Sequence, residues 1–323
     1  MAIPVIDIFA GPGGLGEGFS ALGDAENKHI FKIALSIEKE TTAHTTLTLR
    51  SFFRQFDKGK VPNDYYEFVK GNMSLDALYN KWPKEAAHAK HEAWQATLGV
   101  TPNEEIDERI TAALNGRKNW LLIGGPPCQA YSVVGRSRRQ EKVLDEVTDH
   151  RVGLYKQYLR ILAIHNPAVF VMENVKGILS AETKDSHVFA KIREDLSNPV
   201  EAYKAEFPSK GMELTCPGYK IYSLVSHPKS WDLEGNPVYN AKDFIIHAEE
   251  YGIPQCRHRV ILLGVRNDIN RQPDILKKET EVPISKVLDG LPNLRSSLSK
   301  SEDSDDLWKE LIREIGRSHL IKE

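Results

Sequence analysis

Residues 3–15 read IPVIDIFAGPGGL, and this stretch decides the fold. The β-branched run at its start predicts a strand, and residues 15–22 have the pattern of a helix. Glycines placed where a strand becomes a helix let a ligand approach the backbone and meet the helix N-terminus. Their spacing is tighter than in the G-x-G-x-x-G dinucleotide fingerprint. An ordinary strand-to-helix turn is the alternative interpretation.

A second strand is predicted at residues 30–37 and ends at Glu38, before a helix at residues 41–53. Open α/β sheets place an acidic residue at this position to accept hydrogen bonds from a ribose hydroxyl pair. A nucleoside cofactor is therefore expected, and both a dinucleotide and S-adenosylmethionine remain possible. A surface carboxylate beside Lys39 is the simpler interpretation of Glu38.

Later strands complete the predicted fold class. Strands at 120–123 and 168–172 alternate with helices, which predicts a parallel sheet with right-handed crossovers. Three further strands, at 219–226, 244–249 and 259–265, lack intervening helices and predict an antiparallel edge. We therefore expect a mostly parallel, Rossmann-like α/β sheet with a helical insertion at about residues 55–117.

Composition narrows the possible functions. Among 323 residues, 43 Lys and Arg balance 45 Asp and Glu, so the net charge of −2 excludes binding nucleic acid through global positive charge. The three cysteines are too few and too scattered for a disulfide framework or a C-x-x-C metal site. We expect a cytoplasmic protein without a bound metal, and neither an export signal nor a membrane segment is indicated.

A cysteine follows the strand at 120–123, in the segment Gly125-Pro126-Pro127-Cys128-Gln129. The carboxyl end of such a strand lies at the ligand edge of the sheet, and the two prolines stiffen the approach. This arrangement is typical of a held nucleophile. A small buried cysteine is the alternative.

Four motifs in order resemble the DNA cytosine-5 methyltransferase family of bacterial restriction–modification systems. They are Asp-Ile-Phe-Ala-Gly-x-Gly-Gly at 7–14, Gly-Pro-Pro-Cys-Gln at 125–129, Glu-Asn-Val at 173–175 and Gln-x-Arg-x-Arg at 255–259. The resemblance covers about residues 3–266. It implies a methyltransferase that uses S-adenosylmethionine to methylate carbon 5 of a cytosine flipped out of duplex DNA.

The resemblance also implies roles for particular residues. Cys128 would be the thiolate that adds to carbon 6 of the cytosine, and Glu173 would stabilise the adduct at the ring nitrogen beside the amino group. One of Arg257 and Arg259 would contact the base while the other braces Glu173, because alternate residues of an extended segment share a face. A solvated basic edge is the alternative for this pair. Asn174 would help to hold the loop geometry.

The same resemblance implies a DNA-contacting loop after the cysteine, including Gln129, Ser132 and Arg136, that is mobile without DNA. It assigns S-adenosylmethionine to the glycine turn and its ribose to Glu38. For adenine, the family places an Asp before the cysteine strand, and Asp107 and Asp76 are both candidates. The residues assigned from the turn are Phe9, Ala10, Gly11, Gly13, Gly14 and Leu15.

The family normally continues with a target-recognition region and a late Gly-Asn-Ser/Ala-Val motif, which are not visible in this sequence. We expect a catalytic domain at 1–285, then a linker and the start of a missing recognition region at 286–323. A truncated chain, a split-enzyme subunit and unseen further residues would each explain this. We expect the chain alone to bind S-adenosylmethionine weakly and to methylate DNA poorly, with recognition supplied by a second polypeptide or a C-terminal domain.

Three other functions remain open. A nicotinamide-dependent oxidoreductase is disfavoured, because the Pro-Pro-Cys-Gln segment would have no role in such an enzyme. A few members of the same family methylate transfer RNA, and a non-catalytic cofactor- or DNA-binding module is the alternative from a different class. Retention of Cys128, Glu173 and both arginines argues against that last function.

Overall fold

A computed structural model of the chain describes residues 2–23, 29–127, 152–180, 188–206, 214–291 and 304–317. Within them the chain forms two compact units, Met1–Glu281 and Val282–Glu323. No helix of this described part is long and apolar enough to cross a membrane. The predicted loop after Cys128 lies outside the described residues, so its predicted mobility stays a prediction.

The first unit is built on a mostly parallel sheet with an antiparallel edge, as predicted. Its strands run in the order β3-β2-β1-β4-β5-β10-β6, and β9 adds to β10. The first five of these pair in parallel, whereas β10 is antiparallel to β5, β6 and β9. The strands of this sheet are β1 (Ile3–Ile8), β2 (Phe31–Glu38), β3 (Ala93–Gln95), β4 (Leu121–Gly124), β5 (Val169–Val175), β6 (Tyr219–Tyr222), β9 (Ile245–His247) and β10 (His258–Arg266). The strands β7 (Ser230–Trp231) and β8 (Pro237–Val238) form a separate antiparallel pair.

Helices cover the sheet and follow several of its strands. In the first unit they are α1 (Gly14–Ala21), α2 (Thr41–Phe53), α3 (Asn63–Val69), α4 (Leu75–Lys81), α5 (Pro83–Glu92), α6 (Asn103–Leu114), α7 (Val152–His165), α8 (Val188–Ser197) and α9 (Pro199–Glu206). Short 3₁₀ helices lie at Lys176–Ser180, Ala241–Phe244 and Ala248–Tyr251. The second unit contains α10 (Ser285–Leu288) and α11 (Asp305–Arg317).

Both faces of the central strands are buried, as expected for a parallel sheet covered by helices. On β1, Ile6 and Ile8 join a core with Phe170 and the helices on one side, while Val5 joins a second cluster with Ile123 on the other. The alternation follows from the period of two in a strand. It fixes the register in which the carboxyl ends of β1, β2, β4 and β5 meet at one edge.

The predicted helical insertion at 55–117 is helical over α3 to α6, but it also returns to the sheet. Its residues Ala93–Gln95 form β3, which pairs in parallel with Ser36–Glu38. A three-residue strand beside a polar helix has too few residues to show a strand pattern, so the edge pairing itself decides its conformation. The residues after β3 are thereby placed beside the end of β2.

Candidate active site

The glycine turn after β1 has the backbone geometry of a ligand-binding loop. Phe9 has a φ of 56° and Gly13 a φ of 89°. An aromatic residue at such a φ is a genuine outlier, and outliers of this kind cluster at binding sites. A Cβ on Gly13 would stand 2.8 Å from Leu47 Cδ1, so this position also has no room for a side chain. Where a Cβ on Gly11 would point, no atom lies within 4 Å.

Glu38 braces this turn from the end of the neighbouring strand. Its Oε2 accepts a hydrogen bond of 2.8 Å from the Gly11 backbone N–H, and its Oε1 accepts one of 2.7 Å from the Glu40 backbone N–H. Each carboxylate oxygen keeps a free lone pair after these bonds. The carboxylate is therefore already fixed in position and can still accept hydrogen bonds from a diol.

A cavity opens beside these residues, and its lining has the groups that a nucleoside such as that of S-adenosylmethionine requires. Glu38 supplies the carboxylate, and aliphatic side chains from β2, from the segment after β3 and from α7 supply apolar walls suited to a flat base. Of the residues predicted to hold the cofactor, Phe9 and Glu38 line the cavity. The full lining is Phe9, Ile37, Glu38, Lys39, Ala96, Leu98, Gly125, Pro127 and Leu154.

The other predicted cofactor residues lie in the same turn. Ala10 is buried, and Gly11 donates its N–H to Glu38. Gly13 is the N-cap of α1, and Gly14 and Leu15 form the first turn of that helix. Whether they contact the cofactor stays a prediction.

Neither predicted adenine carboxylate lines this cavity. Asp107 lies in α6, where both its oxygens are 2.8 Å from Arg160 Nη1 and Oδ1 is 2.7 Å from His165 Nε2. Although partial burial acts to raise it, these partners lower the pKa of Asp107. Asp76 lies in the first turn of α4. The segment beside the end of β2 contributes Ala96 and Leu98 to the lining instead, and a contact of either Asp with adenine stays a prediction.

The Gly-Pro-Pro segment after β4 lies directly against Glu173. A Cβ on Gly125 would stand 3.0 Å from Glu173 Oε2, so glycine permits this close approach. Asn174 is 5% exposed, and its Nδ2 donates a hydrogen bond of 3.3 Å to the carbonyl of Pro126. Its Oδ1 accepts a bond of 2.9 Å from the backbone N–H of Val175. Asn174 thus connects the end of β5 to the segment that leads into Cys128.

Arg259 forms an ion pair with Glu173, with 2.7 Å between Nε and Oε1. In the antiparallel ladder Ile261 faces Glu173 and Arg259 faces Val175, so Arg259 reaches the carboxylate along the diagonal. Its Nη1 also donates to the carbonyl of His258 at 2.8 Å. This orientation leaves Glu173 Oε2 directed to the Gly125 side of the pair.

Arg257 is placed differently from Arg259. It precedes β10 in a turn with Gln255, and the side chains of both are exposed. Arg257 therefore lies just outside β10, and whether its side chain shares a face with Arg259 stays a prediction. In the described part of the chain, Arg259 is the arginine paired with Glu173. Cys128, Gln129, Ser132 and Arg136 lie outside the described residues, although Cys128 directly follows Pro127 of the cavity lining.

Asp7, which sequence reasoning did not single out by itself, is buried beneath the glycine turn. It is 1% exposed, and a Cβ on Gly16 would stand 2.9 Å from its Oδ2, so glycine makes room for it. Burial is the main cause that raises the pKa of Asp7 to about 7; Arg54 opposes this and the charge of Glu38 adds to it. The signal available in the sequence was an acidic residue within an otherwise apolar strand.

Comparison with known proteins agrees with this geometry. The sequence model of a family described as C-5 cytosine-specific DNA methylase matches residues 77–206 and 232–319. The type II methyltransferase M.Bpa9945I of Bacillus paralicheniformis is 31% identical over 286 residues, which cover 82% of this chain and 54% of that protein. For the type II methyltransferase M.DdeI of Desulfomicrobium norvegicum the identity is 27% over 287 residues, which cover 88% of this chain and 45% of that protein. The chain spans about half the length of these curated relatives.

A solved structure described as a DNA modification methyltransferase encoded within an E. coli prophage shares the fold. Its TM-score is 0.51 at 19% identity, covering 94% of this chain and 59% of that one. The fold is that of a Rossmann-like α/β domain, and the matched family is one of methyltransferases that use S-adenosylmethionine. Within that class, the chain belongs to the C-5 cytosine-specific DNA methylase family.

Asp7 makes the stability of the protein depend on pH. Because its pKa in the folded state is about 7 against an ordinary 3.8, the native state keeps a proton that the unfolded chain releases. The wild type should therefore lose stability as the pH rises from about 4 to about 7, by up to about 1.4 kcal/mol per pH unit. Asp7→Asn should remove this slope, as measured by urea unfolding at several pH values.

Asp57→Asn is the control for this prediction, because Asp57 is exposed and paired with Lys60. An exposed pair contributes little to stability, so this variant should follow the wild-type profile within about 1 kcal/mol. A constant difference between Asp7→Asn and the wild type across this pH range would contradict the assignment of a raised pKa to Asp7.

Proposed function

We propose that this chain carries the catalytic centre of an enzyme that methylates carbon 5 of a cytosine in duplex DNA. The observation that supports this most is the convergence of two motifs on one carboxylate. Arg259 pairs with Glu173 at 2.7 Å, and the glycine of the Gly-Pro-Pro-Cys segment closely approaches the other oxygen of Glu173. The segment that leads into the nucleophile and the group that stabilises its adduct therefore belong to one site.

S-adenosylmethionine is the cofactor of this proposal, and it supplies an electrophilic methyl group. Glu38 would accept hydrogen bonds from the ribose hydroxyls, since its lone pairs beside the Gly11 and Glu40 bonds remain available. Phe9, Ala96 and Leu98 would enclose the base. The open space above Gly11 would admit the rest of the molecule.

On the cytosine, Cys128 would supply the bond-forming electron pair. Its thiolate adds to carbon 6, and the electron density this releases in the ring makes carbon 5 nucleophilic. Glu173 would stabilise the adduct by hydrogen bonding at the ring nitrogen beside the amino group, and Arg259 would hold Glu173 in orientation. The exposed Arg257 is free to approach the base. Carbon 5 would take the methyl group as the methyl–sulfur bond of the cofactor breaks and S-adenosylhomocysteine leaves. Loss of the carbon 5 proton to a base would then allow the Cys128 thiolate to leave carbon 6.

The wider setting is also part of the proposal. Because the chain spans about half the length of its relatives, we assign target recognition to a second polypeptide or a further domain. The type II methyltransferases among those relatives support a restriction–modification role in a bacterial cytoplasm. Gln129, Ser132 and Arg136 would contact the DNA around the extruded base.

Covalent trapping tests the proposed function. Duplex DNA containing 5-fluorocytosine has no proton at carbon 5 that can be lost, so the Cys128 adduct should accumulate in the presence of S-adenosylmethionine. The chain is assayed alone and with the recognition region of a relative, and the adduct is measured by denaturing electrophoresis. The added recognition region should increase the yield.

Cys128→Ser should abolish trapping, whereas Cys216→Ser should leave it unchanged. Methyl transfer to transfer RNA is measured in parallel. No adduct under either condition, or equal trapping by the two variants, would contradict the proposal. A preference for transfer RNA would show that the substrate of this chain is transfer RNA and not duplex DNA.

Glu38→Gln should weaken S-adenosylmethionine binding by roughly 10- to 100-fold, because a charged acceptor hydrogen bond contributes about 1.5–3 kcal/mol. Isothermal titration calorimetry measures the affinity. Glu40→Gln is the matched control, since Glu40 also accepts backbone N–H bonds, from Thr42 and Ala43, but does not line the cavity. Equal losses of affinity in the two variants would show that binding depends on the backbone hydrogen bonds that these carboxylates accept, and not on a bond from Glu38 to the ribose.

Glu173→Gln should lower the rate of methyl transfer by about 100- to 10,000-fold while S-adenosylmethionine affinity is retained, as expected for loss of a general acid. Single-turnover transfer of radiolabelled methyl measures the rate. Asp64→Asn breaks an ion pair with Lys81 far from the motifs and should leave the rate unchanged. An unchanged rate in Glu173→Gln would show that a group other than Glu173 stabilises the cytosine adduct.

A further inference from the structure

Two histidines lie side by side where β9 pairs with β10. His247 and His258 are direct partners in this antiparallel ladder, so their side chains share one face. The two rings are stacked, with 4.1 Å between centroids and 28° between planes. Both are partly exposed, at 39% and 33% of the side chain, so an ion from solvent can reach them.

Glu249 brings a carboxylate to the same point. It lies in the 3₁₀ helix that follows β9, and its Oε1 is 2.8 Å from His258 Nε2 and 3.9 Å from His247 Nδ1. One ligand atom from each of the three residues lies within 4.8 Å of the other two. Glu249 Oε2 is buried and has no hydrogen-bond partner within the described residues. Glu249 Oε2 is therefore available to accept a further ligand.

The donor set has the chemistry of a transition-metal site. Zinc binds imidazole nitrogen and carboxylate oxygen at about 2.0–2.2 Å in tetrahedral geometry, which separates neighbouring ligand atoms by about 3.4 Å. The separations of 2.8 and 3.9 Å lie on either side of this value. Magnesium and calcium prefer oxygen ligands, so a pair of imidazoles disfavours them. We propose that His247, Glu249 and His258 bind a divalent transition-metal ion of the zinc class.

The position of this metal site suggests a structural role. Successive residues of a strand face opposite sides, so the site lies on the face of β10 opposite to Arg259. The carbonyl of His258 accepts a hydrogen bond from Arg259 Nη1. A bound ion would join β9, the 3₁₀ helix and the start of β10, and would fix the residue that helps to orient Arg259. Cysteine spacing, which predicts no metal site in this sequence, does not bear on a site made of histidine and glutamate.

Cobalt binding to the full 323-residue chain tests the metal site directly. After treatment with a chelator, titration with Co²⁺ should produce visible d–d absorption bands at one ion per chain, and Zn²⁺ should remove them. The near-ultraviolet band of a cobalt–thiolate bond should be absent, because the site has no cysteine ligand. Excess Mg²⁺ should not compete.

Two variants separate the metal site from a simple hydrogen-bonded His–Glu pair. His247→Gln keeps the His258–Glu249 hydrogen bond but removes a metal ligand, so Co²⁺ affinity should fall by more than the roughly 10- to 100-fold lost with an outer-shell partner. His227→Gln changes an exposed histidine outside the cluster and should bind as the wild type does.

Thermal unfolding provides a second measurement. Zn²⁺ should raise the melting temperature of the wild type and of His227→Gln, and should not raise that of His247→Gln or Glu249→Gln. Failure of the wild type to bind Co²⁺ at micromolar concentration would overturn the proposal, as would equal binding by His247→Gln and His227→Gln. A thiolate band would assign the ion to a cysteine and would also overturn it.

Discussion

The antiparallel pairing of β10 with β5 is the constraint on which the site depends. In a parallel sheet the functional groups collect where strands end. Because β10 runs in the opposite direction, its beginning lies at that same edge, and Arg259 at the start of β10 meets Glu173 near the end of β5. A parallel β10 would place Arg259 at the far end of the sheet. Strand direction therefore brings together two motifs that are more than 80 residues apart in the chain.

This pairing is supported by close packing in the middle of the two strands. Gly264 faces Phe170 in the ladder, and a Cβ on Gly264 would stand 2.0 Å from the Phe170 ring. The ring occupies that space and packs edge to face against Tyr158 and Tyr219. Such aromatic pairs stabilise a core beyond the area that they bury. The missing side chain of Gly264 thus lets the antiparallel strand pack flat against the parallel ones.

Local patterns in the sequence were sufficient for much of the fold and for part of the site. The glycine turn and the helix at Thr41–Phe53 were predicted because each depends on neighbouring residues, and the antiparallel edge was predicted because no helix lies between its strands in the sequence. The strand Ala93–Gln95 was missed because its pairing with β2 is non-local. Asp107 was considered for adenine because its ion-pair partners could not be recognised from the sequence. These partners, Arg160 and His165, are more than 50 residues away in the chain. The His247–Glu249–His258 cluster depends on strand register, which residue spacing does not reveal.

Two acidic side chains at the ends of neighbouring strands show how burial divides their roles. Asp7 on β1 is enclosed beneath the glycine turn, and desolvation together with the charge of Glu38 favours its protonated form. Glu38 on β2 lies instead at the cavity, where two backbone N–H groups hold its oxygens. Two ionised carboxylates this close would repel each other, so protonation of Asp7 reduces that repulsion. Of these two carboxyl groups, Glu38 is therefore the one that faces the cavity and can accept hydrogen bonds from a ligand.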